Sequence, residues 1–103
     1  MKKIMTVHHV QGIPKKGTIV IGGGPIVDEL TPNEIKSYIN NNTIIIKRQG
    51  KEVIKIDPIS IDVSSSLIDQ KVIFILLPQQ AEELIQISDE VYVAEEGSND
   101  FED

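Results

Sequence analysis

Residues Gly17 to Pro25 read Gly-Thr-Ile-Val-Ile-Gly-Gly-Gly-Pro. An apolar strand running into glycines is how a dinucleotide-binding fingerprint begins. In that motif Gly-x-Gly-x-x-Gly opens a helix whose N-terminal N–H groups face a pyrophosphate. Counting from Gly22, the third glycine position holds Val27, and a fresh helix cap starts at Thr31-Pro32. A helix rising from the glycines would be cut before two turns, and the chain after it is too short for a doubly wound sheet. The stretch is therefore expected to be a glycine bend leaving a strand, where φ > 0 and a missing side chain are needed. No cofactor is expected.

The remaining reactive residues are sparse. His8 and His9 are adjacent, and neighbours on a strand point to opposite faces, so they do not share one ion. One buried and one exposed histidine is the expectation, with no metal site. Cysteine is absent, which excludes thiol catalysis, cysteine–metal sites and disulfides. The carboxylate pairs Asp28-Glu29, Glu82-Glu83 and Glu95-Glu96 lie in polar segments, without the apolar setting that raises a catalytic acid's pKa. Ser64-Ser65-Ser66 lacks a nucleophile-elbow pattern. No catalytic residue is expected, and the chain reads as a non-enzyme.

Lys15-Lys16, Lys47-Arg48, Lys51 and Lys55 could gather into a basic surface, but Arg48 is the sole arginine and only four aromatics accompany it. Base stacking and forked phosphate recognition both lack their residues. These lysines read as guards of strand edges, and nucleic acid is not expected as a partner.

The elements that must position these residues follow from composition. The 103 residues suffice for one compact domain. Isoleucine (19) and valine (9) far outnumber leucine (5) and alanine (2), and β-branched side chains favour pleated surfaces. Strands are predicted over Lys3–Val10, Thr18–Ile21, Thr43–Arg48, Lys51–Ile56, Ile59–Val63, Lys71–Leu77 and Glu90–Ala94. Ile26–Leu30 is a further extended segment. Thr31-Pro32-Asn33-Glu34 is a capping box opening a short helix with Ile35, Tyr38 and Ile39 inward. Gln49-Gly50 is a two-residue hairpin loop. Pro78 opens a second helical stretch, with Ala81, Leu84, Ile85 and Ile87 inward. Strand, helix, strand over 71–94 fits either a right-handed parallel crossover or two antiparallel strands with a helix across one end. The predicted fold is a small α+β, β-rich domain of about seven strands in a partly rolled sheet or barrel, with two short helices. It spans residues 1–94, followed by an acidic tail, 95–103.

Net charge is −6, and its placement is uneven. Residues 89–103 carry seven acids and no base, while residues 1–88 hold ten basic and nine acidic groups. The tail should be flexible unless a partner binds it. Glu95, Glu96, Asp100, Phe101, Glu102 and Asp103 form its candidate interaction site, an aromatic anchor among acids. The basic start lacks the long apolar core of a signal peptide, and the longest apolar run, Val72–Leu77, is far short of a membrane span.

Lys15-Lys16-Gly17-Thr18, leading through Leu30-Thr31-Pro32-Asn33-Glu34-Ile35 to a short helix and strand, resembles small accessory proteins encoded in the structural modules of tailed phages. The resemblance covers about residues 12–48 and transfers no site residues. It implies a head- or neck-associated structural role in several copies, located in the virion or the host cytoplasm. The expected function is thus a non-enzymatic accessory or structural protein, with a protein partner or a homo-oligomeric assembly. The alternative is a small regulatory or inhibitory protein whose acidic tail occupies a basic site on a partner.

Overall fold

The computed structural model describes residues 2–24, 30–40, 43–65 and 71–93. Seven strands are present among the described residues: β1 (Lys2–Ile13), β2 (Gly17–Gly23), β3 (Ile44–Arg48), β4 (Lys51–Ile56), β5 (Ser60–Ser65), β6 (Lys71–Leu77) and β7 (Glu90–Val93). A helix, α1 (Pro32–Asn40), precedes β3. All seven strands form one sheet in the order β4-β3-β7-β1-β2-β6-β5, and every ladder is antiparallel. The strand number matches the sequence expectation.

The sheet is rolled but not closed. β4 and β5 are its two outer strands, yet only Asp57, Pro58 and Ile59 separate them. Six strand spacings make a flat sheet about 29 Å wide. Four Cα steps from Ile56 to Ser60 reach at most about 15 Å. The sheet must therefore curl until its outer strands become two halves of one bent path. The Ile59 N–H donates to the Leu76 carbonyl (2.7 Å) and the Thr43 hydroxyl to the Asp57 carboxylate (2.9 Å), tying the corner at both sides. No ladder joins β4 to β5 among the described residues, which corrects the barrel alternative.

The concave side holds the core. Its rows run across the ladders as Val10–Val20–Ile75–Ile61 and Ile44–Val93. Ile4, Ile35, Ile39, Ile44, Ile46, Ile73 and Ile75 are essentially inaccessible to solvent. Seven isoleucines thus supply the most deeply buried part of this surface. Helix α1 packs on β5 and sends Ile35 and Ile39 into the same core. Its predicted cap forms in full: the Thr31 N–H donates to Glu34 Oε1 (2.8 Å) and the Glu34 N–H to Thr31 Oγ1 (3.1 Å). A cap of this type contributes about 1 kcal/mol.

Gln49 (φ 54°) and Gly50 (φ 81°) make the hairpin turn expected between β3 and β4. Two connections depart from expectation. The second helix is instead a single 3-10 turn, Gln79–Glu83; Ala81 and Ile85 are buried as predicted, whereas Leu84 and Ile87 are exposed. Strands β6 and β7 are not neighbours at all, because β1 and β2 lie between them. The parallel crossover does not hold: β6 and β7 run in opposite directions, as the antiparallel alternative has it, but β7 is inserted between β1 and β3 and does not pair with β6. Ile26 and the acidic tail lie outside the described residues.

Candidate interaction surface

The glycine stretch serves sheet packing. Strand β2 does not break at Gly22 but runs through Gly23, paired with Thr6 and Val7 of β1. A Cβ on Gly22 would stand 2.2 Å from the Thr6 carbonyl oxygen, and one on Gly17 equally close to the Leu77 carbonyl. Both sites exclude a side chain because neighbouring strands approach too closely. The positive φ expected of the stretch falls on Gly24 (152°). Pro25 and Val27 lie outside the described residues, and α1 begins under its own cap, not at the glycines.

His8 and His9 are both exposed, which corrects the split expected from strand alternation. A bulge between Val7 and His9 offsets the alternation there. His9 Nε2 lies 3.2 Å from Gln11 Oε1 on the outer face. No group of three or more His, Asp or Glu able to hold a metal ion exists among the described residues.

Arg48 is taken up by an ion pair within the fold. Arg48 crosses to the segment before β7, where Nε and Nη2 donate to Asp89 Oδ1 (2.8 Å) and Oδ2 (2.9 Å), and Nη2 to the Leu84 carbonyl (2.9 Å). Asp89 is only 2% exposed and also accepts from the Gln86 N–H (2.8 Å). Burial is the largest influence on its carboxyl and opposes ionisation. The Arg48 hydrogen bonds, the Gln86 N–H and the guanidinium charge together outweigh it and hold the pKa below the usual carboxylate range. Arg48 in turn is raised, chiefly by its hydrogen bonds to Asp89. Lys51 and Lys55 sit on the outer strand β4, as edge guards would.

The convex side of the sheet has two different halves. Over β1, β7 and β3 it is ionic. Lys3 Nζ donates to Glu90 Oε2 (3.0 Å), the Tyr92 hydroxyl to Glu90 Oε1 (3.2 Å), and Lys47 Nζ lies 4.7 Å from the Tyr92 ring centre. The Lys3 bond leads in lowering the Glu90 pKa; burial leads in raising that of Tyr92, with the Glu90 bond adding to it. Beneath this network Ile45 is 7% exposed.

Over β2 and β6 the same side is apolar. Ile19 faces Leu76 and Ile21 faces Phe74 across the ladder, and all four are half-buried. Paired residues share a face, so these side chains form one square. Two polar columns flank it. On β1 stand His9, opposite Ile21, and Gln11, opposite Ile19. On β5 stand Asp62, opposite Phe74, and Ser60, opposite Leu76. Ile13, Lys16, Ile19, Ser60, Asp62, Phe74 and Leu76 enclose a shallow depression of about 330 Å³. An apolar centre with a polar rim is the anatomy of a protein–protein contact.

Sequence reading missed this face. β2 and β6 are apolar on both sides, which reads as a strand covered twice. The signal was present, since a strand apolar on both faces in so small a domain leaves one apolar face toward solvent.

A larger cleft of about 500 Å³ opens between the β1–β2 turn and the 3-10 turn, lined by Gly12, Pro14, Gln79, Gln80, Glu82 and Glu83 among others. Its two carboxylates are exposed, so it offers no desolvated acid or base. Glu95, Glu96, Asp100, Phe101, Glu102 and Asp103, and the pair Asp28-Glu29, lie outside the described residues. Asp89 and Glu90, counted with the acidic end, are instead bonded within the fold. No helix among the described residues is long and apolar enough to cross a membrane. No family model, no curated protein and no solved structure matches this chain.

Proposed function

We propose that this protein is a non-enzymatic structural or accessory component that works inside a larger protein assembly. The observation that supports this reading is the apolar square Ile19, Ile21, Phe74 and Leu76, set between polar columns on the convex side. Half-buried apolar side chains grouped in this way lose contact with water when another chain covers them, at about 25 cal/mol per Å². The head- or neck-associated virion role implied by the phage-like segment is the specific form of the proposal, with multiple copies on one particle.

Gentle extraction from the source, followed by size separation, tests it. The protein should travel with partner chains in fixed stoichiometry, and the complex should persist at about 0.5 M salt, where surface charge attraction is screened to a few ångströms. A complex that dissolves as salt rises would favour the acidic-tail regulator instead. Migration as a lone monomer at every salt concentration would overturn both.

A further inference from the structure

We infer that the apolar square is a self-association face, pairing two copies of this chain about a two-fold axis parallel to the strands. The inference rests on the assembly reading above and names one partner in it. The placement of donors and acceptors selects this occupant. The β1 side of the square carries hydrogen-bond donors and no acid: His9 and Gln11. The β5 side carries Ser60, Asp62 and Ser64, an acid and no base. His9 and Asp62 stand in one row, His9–Ile21–Phe74–Asp62, and Gln11 and Ser60 in the next, Gln11–Ile19–Leu76–Ser60.

A two-fold axis along the strands exchanges left and right but keeps each row at its height. It therefore lays the His9 column of one copy on the Asp62 column of the other, twice by symmetry. The perpendicular in-plane axis would lay each polar column on its own counterpart, Asp62 over Ser60 and His9 over Gln11, so that no His9–Asp62 pair forms. The favoured axis leaves the stacked strands nearly aligned, which is how sheets pack face to face at about 10 Å. Phe74 and Leu76 supply the central anchors.

The square and its columns cover roughly 400 Å² per copy, about half of what a standard stable interface buries. The dimer is accordingly weak in free solution, with Kd between about 10 µM and 1 mM. It becomes effective where an assembly holds copies at high local concentration.

Sedimentation equilibrium and concentration-dependent amide shifts of the isolated full chain, taken up to about 1 mM, provide the test. Dimer formation is expected, with shifts confined to β2, β6 and the flanking columns. Leu76→Lys and, separately, Ile19→Lys should abolish it with the fold retained and only a modest drop in melting temperature, because both side chains are half-buried on the outer face. Asp62→Lys should weaken it, and adding His9→Glu should restore it. A monomer at the highest concentration, shifts mapping elsewhere, or a double variant no better than Asp62→Lys would each overturn self-pairing. If the isolated chain is monomeric while extracts still contain a stoichiometric complex, the face serves another chain and the assembly reading survives alone.

Discussion

Replacing Asp89 by alanine is expected to lower the melting temperature by roughly 10–20 °C, corresponding to about 2–3 kcal/mol for a domain of this size. The carboxylate is buried and accepts from Arg48 twice and from the Gln86 N–H. Alanine leaves that N–H without a partner beside the start of β7 and frees the guanidinium that ties β3 to this segment. Asp89 also carries one of the two hydrogen bonds that extend the β7–β1 pairing, its carbonyl accepting from the Val7 N–H (2.8 Å). Loosening the segment therefore reaches the sheet itself. The pH dependence has a definite sign. A folded-state pKa below the unfolded value gives stability that is present in full above about pH 4 and is lost as pH falls through the lower, folded pKa. Asp89→Asn should match the wild type ever more closely as the solution is acidified, and differ from it by a constant amount near neutrality. Thermal melts from pH 7 downward measure this; a gap that widens in acid would show that Asp89 is not the group responsible.

Gly22→Ala should cost about 2–3 kcal/mol, and Gly17→Ala at least as much, because the added methyl meets a backbone carbonyl that cannot swing away. At Gly17 the backbone also stands at φ 139°, where an alanine is strained as well as crowded. These two substitutions separate a packing role from a phosphate-binding role for the stretch. Packing predicts a large stability loss with nucleotides having no effect on either protein's melting temperature. A nucleotide that raised the wild-type melting temperature, with Gly22→Ala folded but unresponsive, would restore the cofactor reading.

The local devices of this fold were legible in the sequence, and its pairing was not. Thr31-Pro32-Asn33-Glu34 specifies its cap through side chains three residues apart, so four residues contain the whole interaction. Gln49-Gly50 likewise carries its own turn. The order β3-β7-β1 depends on contacts more than forty residues apart in sequence, and no period in β7 names its neighbours. The second helix failed for a physical reason: Ala81 and Ile85 have helical spacing, but Pro78 is followed by too few inward apolar residues to hold more than one turn. The histidine pair failed because a bulge, invisible in the residue types, reset the alternation. The apolar convex face was half legible. Ile19, Ile21, Phe74 and Leu76 stood out as apolar, but which of their two sides would be roofed by the core depended on the direction in which the sheet rolls.

The placement of β7 has a consequence for how the molecule comes into being. Strands β1 and β3 each present a raw edge toward the same slot, and only residues 90–93 fill it. During synthesis the slot stays empty until nearly all of the described chain has emerged, so the nascent protein carries two sticky borders for most of its assembly. Closing the slot joins partners almost ninety positions apart, which makes it slow relative to the hairpins. Pulse-labelled amide exchange should find β3–β4 protected early, and the flanks of β1 and β3 protected only together with β7. Early protection of those flanks would mean that the slot is held ready without its strand.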